Sequence, residues 1–253
     1  MANTAKILVP DAADQSGCVD CPIRHQSVCA FCLPDELDTL EQLKYHRHYE
    51  AGQTIIWAGD EMNFVGSVVN GVATLSHTLA DGRKQMVGLL LPSDFIGRPG
   101  RRLSSYDVTA VTDVTLCCFR RKPFEQLISS TPNVAERLLD MSLDELEAAR
   151  EWMLILGRKS AREKIASFLT ILARRAAKAE GKAPGGAMTI DLPLTREAMA
   201  DYLGLTLETV SRQISALKNE GLIRLGGKRR VDIPDLRRLV TETGGGTDDD
   251  LFA

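Results

Sequence analysis

Hydrophobic and polar positions change their period along the 253-residue chain, and each change marks a different kind of structure. From Gly52 to about Phe119, β-branched and aliphatic residues are broken at short intervals by turn signals, among them Asn70-Gly71 and Asp81-Gly82. Both dipeptides tolerate positive φ and favour two-residue hairpins, which predicts an antiparallel β-roll or barrel. Between Pro132 and about Gly157 the period becomes helical: Ala135, Leu138, Leu139, Ser142, Leu146, Ala149, Met153 and Leu156 recur at steps of three or four. A second stripe on the same helix, Val134, Met141, Ala148, Trp152 and Ile155, exceeds what one flat core absorbs. Either a partner helix covers the surplus, making this a dimerisation helix, or the helix packs wholly within its own chain.

A further helix is expected from about Ser160 to Ala179, ended by Gly181-Lys-Ala-Pro-Gly-Gly186. In the compact module that follows, Thr195 can cap a helix to about Tyr202, Gly204 permits a sharp turn, and Thr206 can cap a second helix to about Asn219. That is helix-turn-helix spacing, with Ala198, Met199, Leu203, Leu205, Val210, Ile214 and Leu217 as its expected core. Gly221 to Ile233 reads as a hairpin with a basic tip, a wing. The chain therefore divides into a cysteine-rich segment (1–33), a β-roll (34–130), a long helix (131–158), a winged helix-turn-helix (159–241) and a tail (242–253) with nothing to bury, expected to be disordered. The fold class is α+β.

Composition changes this picture little: 44% hydrophobic and 26% charged residues are globular values. No apolar run reaches the roughly 18 residues of a membrane helix and the N-terminus has no signal core, so a cytoplasmic protein with no membrane partner is expected. Charge matters more locally than in total. The net charge of −3 argues against a nucleic-acid binder, yet residues 195–240 hold nine Lys/Arg against six Asp/Glu, while 134–157 hold six acidic against two basic residues. The acidic average conceals a basic module.

On the second helix of that module, Glu208, Ser211 and Arg212 share one face near the N-terminus, with Thr206 and Thr209 beside them. A recognition helix meets base edges there: Arg forks onto guanine, Glu accepts from cytosine N4, and Ser reaches base or phosphate. Lys228, Arg229 and Arg230 at the wing tip suit phosphates. The bland alternative is a solvated face carrying an i, i+4 ion pair; the preceding turn favours double-stranded DNA.

Six cysteines remain to be explained. Cys18, Cys21, Cys29 and Cys32 lie within fifteen residues, and Cys117-Cys118 lie far downstream. In a cytosolic chain of this length, metal ligation or redox chemistry is the better expectation than disulfides. Spacing alone leaves two metals open, because thiolates ligate both zinc and iron–sulfur centres and the four loop cysteines could close a zinc site by themselves. Arg24 and His25 lie inside this loop, where they either tune a bound group or are simply solvated. For an enzyme there is no support: the sequence has no phosphate loop, metalloprotease helix or nucleophile elbow.

A β-roll, a long helix and a winged helix-turn-helix in this order resemble the CRP/FNR family of bacterial transcription regulators, over nearly the whole chain. The stretches that carry the likeness are Gly52-Gln-Thr-Ile-Ile-Trp-Ala-Gly-Asp60, Gly71, Phe95-Ile-Gly97 and Glu208-Thr-Val-Ser-Arg212. The last resembles the FNR branch, whose members recognise TTGAT-type half-sites; the cyclic-AMP branch would have Arg at the position of Leu207. Cys18-x2-Cys21-x7-Cys29 resembles the cluster motif of that branch, in which a distant fourth cysteine completes a [4Fe-4S] site. With Phe119 and Phe124 as the anchors ending the roll, the resemblance implies Cys117 as that ligand, with Cys118 the alternative on the opposite strand face. It further implies a homodimer that binds a palindrome without oxygen and engages RNA polymerase, and that oxygen converts the cluster and lowers DNA affinity. Other effectors within the family are a cyclic nucleotide, for which Arg98 and Ser104-Ser105-Tyr106-Asp107 lack the acidic and Arg-Ser pattern, and haem, for which His77 would be the ligand.

Overall fold

The computed structural model describes residues 17–183, 185–227 and 229–245. They fall into two compact units, Met1–Ser142 and Leu143–Ala253. In the first unit a 3-10 turn over Cys18–Asp20 leads through a loop to α1 (Pro34–Leu43). Pro34 supplies the fixed φ of a first helical position, and the Glu36 carboxylate accepts from the Leu33 N–H at 2.8 Å.

Eight strands follow: β1 (Lys44–Tyr49), β2 (Thr54–Ile56), β3 (Phe64–Asn70), β4 (Ala73–Thr78), β5 (Lys84–Leu90), β6 (Phe95–Ile96), β7 (Asp107–Ala110) and β8 (Val114–Arg120). They pair into antiparallel sheets ordered β1-β8-β3-β6 and β2-β7-β4-β5, the expected β-roll. Strand alternation sends Phe64, Val68, Leu116 and Cys118 into the roll's core and turns Val65 and Phe119 to its outer face.

Both turn dipeptides differ from expectation. Asn70-Gly71 closes no hairpin: β3 and β4 belong to different sheets, and Gly71, at φ 86°, carries the chain from one to the other. Only glycine fits there, since a Cβ would lie 2.0 Å from the Asp113 carbonyl oxygen. Asp81-Gly82 does join β4 to β5, but the Leu79 N–H bonds the Arg83 carbonyl at 2.8 Å, which leaves three residues in the loop.

Two helices end this unit's chain. In α2 (Arg121–Ser130), Phe124 is fully buried on the outer face of the roll, its ring 5.2 Å from Phe119 and 5.7 Å from Phe95. Val134, Leu138 and Met141 at the start of α3 (Pro132–Arg158) join the same cluster. The division between the units therefore falls inside α3, after Ser142, and the helix is not the separate segment expected over 131–158. Its first half packs on the roll. In its second half, the Trp152 ring stacks on Tyr202 of the second unit at 4.3 Å.

The second unit continues with α4 (Ala161–Ala179), β9 (Met188–Asp191), α5 (Arg196–Leu203), α6 (Leu207–Asn219), β10 (Arg224–Gly226), β11 (Arg230–Ile233) and α7 (Leu236–Thr241). Ser160 caps α4 in a capping box with Glu163, and Ile165, Phe168 and Leu169 on the helix are buried. The strands form a sheet ordered β10-β11-β9. Buried Lys164 donates to the Leu203 carbonyl at 3.1 Å, satisfying an orphan acceptor at the end of α5. Arg162 donates to both Glu220 oxygens and to Glu242 at 2.7 Å, tying the starts and ends of three helices together. The expected tail begins later than residue 242, because Glu242 is held by Arg162 and Thr243 is buried; residues 246–253 lie outside those described. Among the described residues no helix is long and apolar enough to cross a membrane.

Candidate functional site

The cysteine loop is organised by two arginines. Arg24 donates to the carbonyls of Cys29 (2.5 Å), Ala30 (3.1 Å) and Cys32 (3.1 Å), so it is a structural clamp and not a solvated bystander. Arg137 of α3 donates to the carbonyls of Gln26 (2.6 Å) and Ser27 (3.3 Å), pairs with Asp140, and lies over the Phe31 ring at 5.3 Å. The Cys18 N–H donates to Glu41 of α1 at 3.0 Å. His25 is exposed.

All six cysteines are free thiols. Cys18, Cys29, Cys32 and Cys117 belong to one apolar cluster with Val28, Leu40, Val65, Phe119, Phe124 and Val134. Cys118 points the other way, fully buried in the roll's core. Burial pushes the Cys117 thiol pKa well above its ordinary value, and the neighbouring thiols of Cys118, Cys21, Cys18 and Cys29 push it further. The strand thiol thus shares its surroundings with three loop thiols. Burial raises Cys18 and Cys21 as well, and lifts Cys32 and Cys118 to about 12.

Among the described residues no group of three or more His, Cys, Asp and Glu is close enough to hold one metal ion. A tetrahedral zinc with sulfurs at about 2.3 Å would require thiolates about 3.8 Å apart. The donor set, desolvated thiols converging on an apolar patch beside a buried hydroxyl, Ser67, that has no partner, fits a soft thiolate-bound group.

The second candidate site lies on α6. Gly204, in the left-handed conformation at φ 62°, ends α5, and the Thr206 hydroxyl accepts from the Thr209 N–H at 3.2 Å to start α6. Val210, Ile214 and Leu217 face the core, so Glu208, Ser211 and Arg212 stand exposed on the opposite side. The Glu208 carboxyl is held below the usual range by its own backbone N–H and then by Thr206, which keeps it an acceptor. Thr206 and Thr209 are engaged with each other as a cap, hydroxyl to hydroxyl at 3.1 Å. At the wing, Arg229 is exposed, Arg230 leans on Asp232 at 3.3 Å, and Lys228 lies outside the described residues.

On α3, Leu139, Leu146 and Met153 are 62%, 46% and 67% exposed, with Ser142 and Ala149 also exposed and Leu156 half-buried. Leu138 is different: it packs into its own unit's cluster and leaves the outward stripe. Leu143 and Leu154, which periodicity passed over, are exposed beside that stripe. In the roll, Asp107 accepts from the Ala58 N–H at 2.8 Å and is thereby used structurally, while His77 is exposed with its ring edge-on to Tyr106.

Comparison with known proteins agrees with both halves. Residues 46–131 match the cyclic nucleotide-binding domain and residues 163–241 the Crp-like helix-turn-helix domain. The chain is 65% identical over 234 residues to the transcriptional activator protein FnrL of Cereibacter sphaeroides, covering 92% of this chain and 94% of that one. It is 30% identical to the transcriptional activator protein anr of Pseudomonas aeruginosa, covering 97% and 98%. The structure of FixK2 from Bradyrhizobium japonicum superposes with a TM-score of 0.71 at 32% identity, over 80% of this chain and 98% of that one. Two of these relatives are named as transcriptional activators. A cyclic-nucleotide-type roll, a winged helix-turn-helix and relatives matched from end to end place this chain in the CRP/FNR family of transcription regulators, as a member of FNR type.

Proposed function

We propose that the protein is an oxygen-responsive transcription activator that binds a palindromic TTGAT-type site as a homodimer while Cys18, Cys21, Cys29 and Cys117 hold a [4Fe-4S] cluster. The observation that carries this reading is the convergence of the three loop thiols on the thiol of β8, with Cys118 turned into the opposite core. When bound, the cluster supplies an oxygen-labile link between loop and strand.

The chain's own residues transmit the state of that link. Arg24 and Arg137 fix the loop's carbonyls, so the order of the loop bears directly on α3. The outward stripe of α3, Leu139, Ser142, Leu146, Ala149, Met153 and Leu156, is available to a second copy. Two copies are required because a two-fold DNA site needs two reading helices about 34 Å apart. Six acidic residues against two basic ones on 134–157 set the copies against each other. Association is then marginal, and a coupling of about 1–3 kcal/mol gives a useful response. The DNA-bound dimer engages RNA polymerase in the cytoplasm, a reading supported by the relatives named as activators.

A second reading has one observation in its favour: Cys32 is buried in the same cluster, so Cys18, Cys21, Cys29 and Cys32 could rearrange around a structural zinc. One experiment separates them. Anaerobically purified protein is assayed for iron, sulfide and zinc, and its DNA affinity is measured before and after air. About four irons and four sulfides per chain, with affinity falling in air, are expected. Stoichiometric zinc without iron would overturn the cluster.

A further inference from the structure

Cys117 has two cross-strand neighbours in the outer sheet, His46 of β1 and Ser67 of β3. Ser67 lies on the same strand face as Val65, the face that packs against the cysteine loop, and not on the core face of Phe64 and Val68. It is 2% exposed, yet its hydroxyl has no hydrogen-bond partner. A buried hydroxyl with no partner costs free energy, which an alanine at this position would avoid. The local backbone leaves it little freedom to move away. Gly66 beside it approaches β8 so closely that a Cβ there would lie 2.5 Å from the Cys117 carbonyl oxygen.

The chemistry of Cys117 supplies the missing partner. Directly opposed residues in an antiparallel pair have Cβ atoms about 4.5–5.5 Å apart, within reach of an Oγ–H···Sγ hydrogen bond. A thiol sulfur accepts such a bond weakly, whereas a metal-bound thiolate carries charge and accepts it well.

We propose that Ser67 is a positioning residue for the strand ligand, its hydroxyl donating to the Cys117 sulfur once that sulfur ligates iron. The inference rests on the cluster reading above. A hydrogen bond to a ligating sulfur favours the more electron-rich state of the centre, so it raises the reduction potential and slows oxidative loss. In the thiol form the same hydroxyl is an unsatisfied group whose removal costs nothing.

The test uses the full chain, with and without iron, as wild type, Ser67→Ala and Ser67→Thr. Iron and sulfide content of the wild type checks the cluster reading first, independently of Ser67. Ser67→Ala should assemble the cluster anaerobically at wild-type stoichiometry. It should show a more negative midpoint potential and lose its visible absorbance in air about fivefold faster. Its iron-free form should unfold at the wild-type temperature or above. Ser67→Thr, which keeps the hydroxyl, should restore the wild-type potential. An unchanged potential and decay rate in Ser67→Ala would overturn the proposal, as would a lowered unfolding temperature of its iron-free form, which would show that the hydroxyl already has a partner there.

Discussion

The guanidinium of Arg137, on the first turns of α3, donates to the carbonyl of Gln26 at 2.6 Å across 111 residues of sequence. With its second bond to Ser27 and the Phe31 ring beneath it, it joins the cysteine loop to the helix proposed to carry the dimer. Arg137→Met keeps the aliphatic stem and removes the charge-assisted bonds, typically about 1.5–3 kcal/mol each. Hydrogen exchange of the loop amides should speed up, and the dimer fraction of anaerobic protein should fall while initial iron content stays near normal. Unchanged exchange would show that the loop is ordered without this contact.

The two faces of β8 predict opposite phenotypes for adjacent cysteines. Cys117→Ser, like Cys18→Ser, Cys21→Ser and Cys29→Ser, should lose the iron and keep the roll folded. Cys118→Ser should keep the iron but place a hydroxyl in the largely apolar core of the roll, at a cost of about 1–3 kcal/mol in thermal unfolding. Cys32→Ser should keep the iron too. Iron analysis of the six variants decides the ligand set.

Base reading should reside on α6. Arg212→Ala should lose about 1–3 kcal/mol at the guanine of the half-site and discriminate less among variants of that base pair. Lys228→Ala and Arg229→Ala should weaken binding to all sequences alike and flatten its salt dependence. Single-base variants titrated at two salt concentrations separate these effects, and intact discrimination in Arg212→Ala would remove the face from the reading.

Exposed and internal leucines on α3 should part company. Leu146→Ala and Met153→Ala should weaken dimerisation and DNA binding together without loss of iron. Leu138→Ala should instead lower the unfolding temperature, because that side chain packs within its own unit. Sedimentation velocity of anaerobic and air-exposed samples tests the switch itself: equal dimer fractions would refute a monomer–dimer mechanism in favour of reorientation within a permanent dimer.

Acid should loosen the second unit through Glu220. Hydrogen bonding from Arg162 holds its carboxyl below the usual range. A depressed carboxylate contributes stability that is complete above its unfolded value and is lost as pH falls through the folded one. Unfolding temperature measured from pH 7 downward should therefore drop in the acid range, and Arg162→Met should drop less steeply. Parallel curves would assign the acid sensitivity to other groups.

How much of this was legible in the chain depended on sequence separation. The roll, α3, the helix-turn-helix and the wing all announce themselves by period, capping and turn residues within a few positions. α1 carries a local sign in Pro34 and Glu36, but it is too short and too weakly periodic to stand out; α2 is hidden because Phe124 acts through contacts with distant residues, and β9 because its partner β11 lies forty residues on. Asn70-Gly71 carries the right backbone signal and the wrong topology, since β3 pairs with β8 and β4 with β7, strands that lie far downstream. The cysteines and the α6 face were found by spacing. Arg24 lies inside the loop that the cysteine spacing marks, but its hold on three carbonyls has no local sign, and Arg137 and Ser67 have none either: one reaches across the chain, and the other matters only for what faces it on β8.

The ring stack of Trp152 on Tyr202 also gives the molecule two distinguishable optical reporters. The chain has two tryptophans. Trp57 is in the first unit and 53% exposed, whereas Trp152 is half-buried in the second unit with its indole N–H enclosed and without an acceptor. Fluorescence of a Trp57→Phe protein therefore reports the second unit alone, at shorter wavelength and without solvent exchange at the indole. That of a Trp152→Phe protein reports the roll. A change in one half can thus be followed separately from a change in the other by single substitutions, with no dye attached.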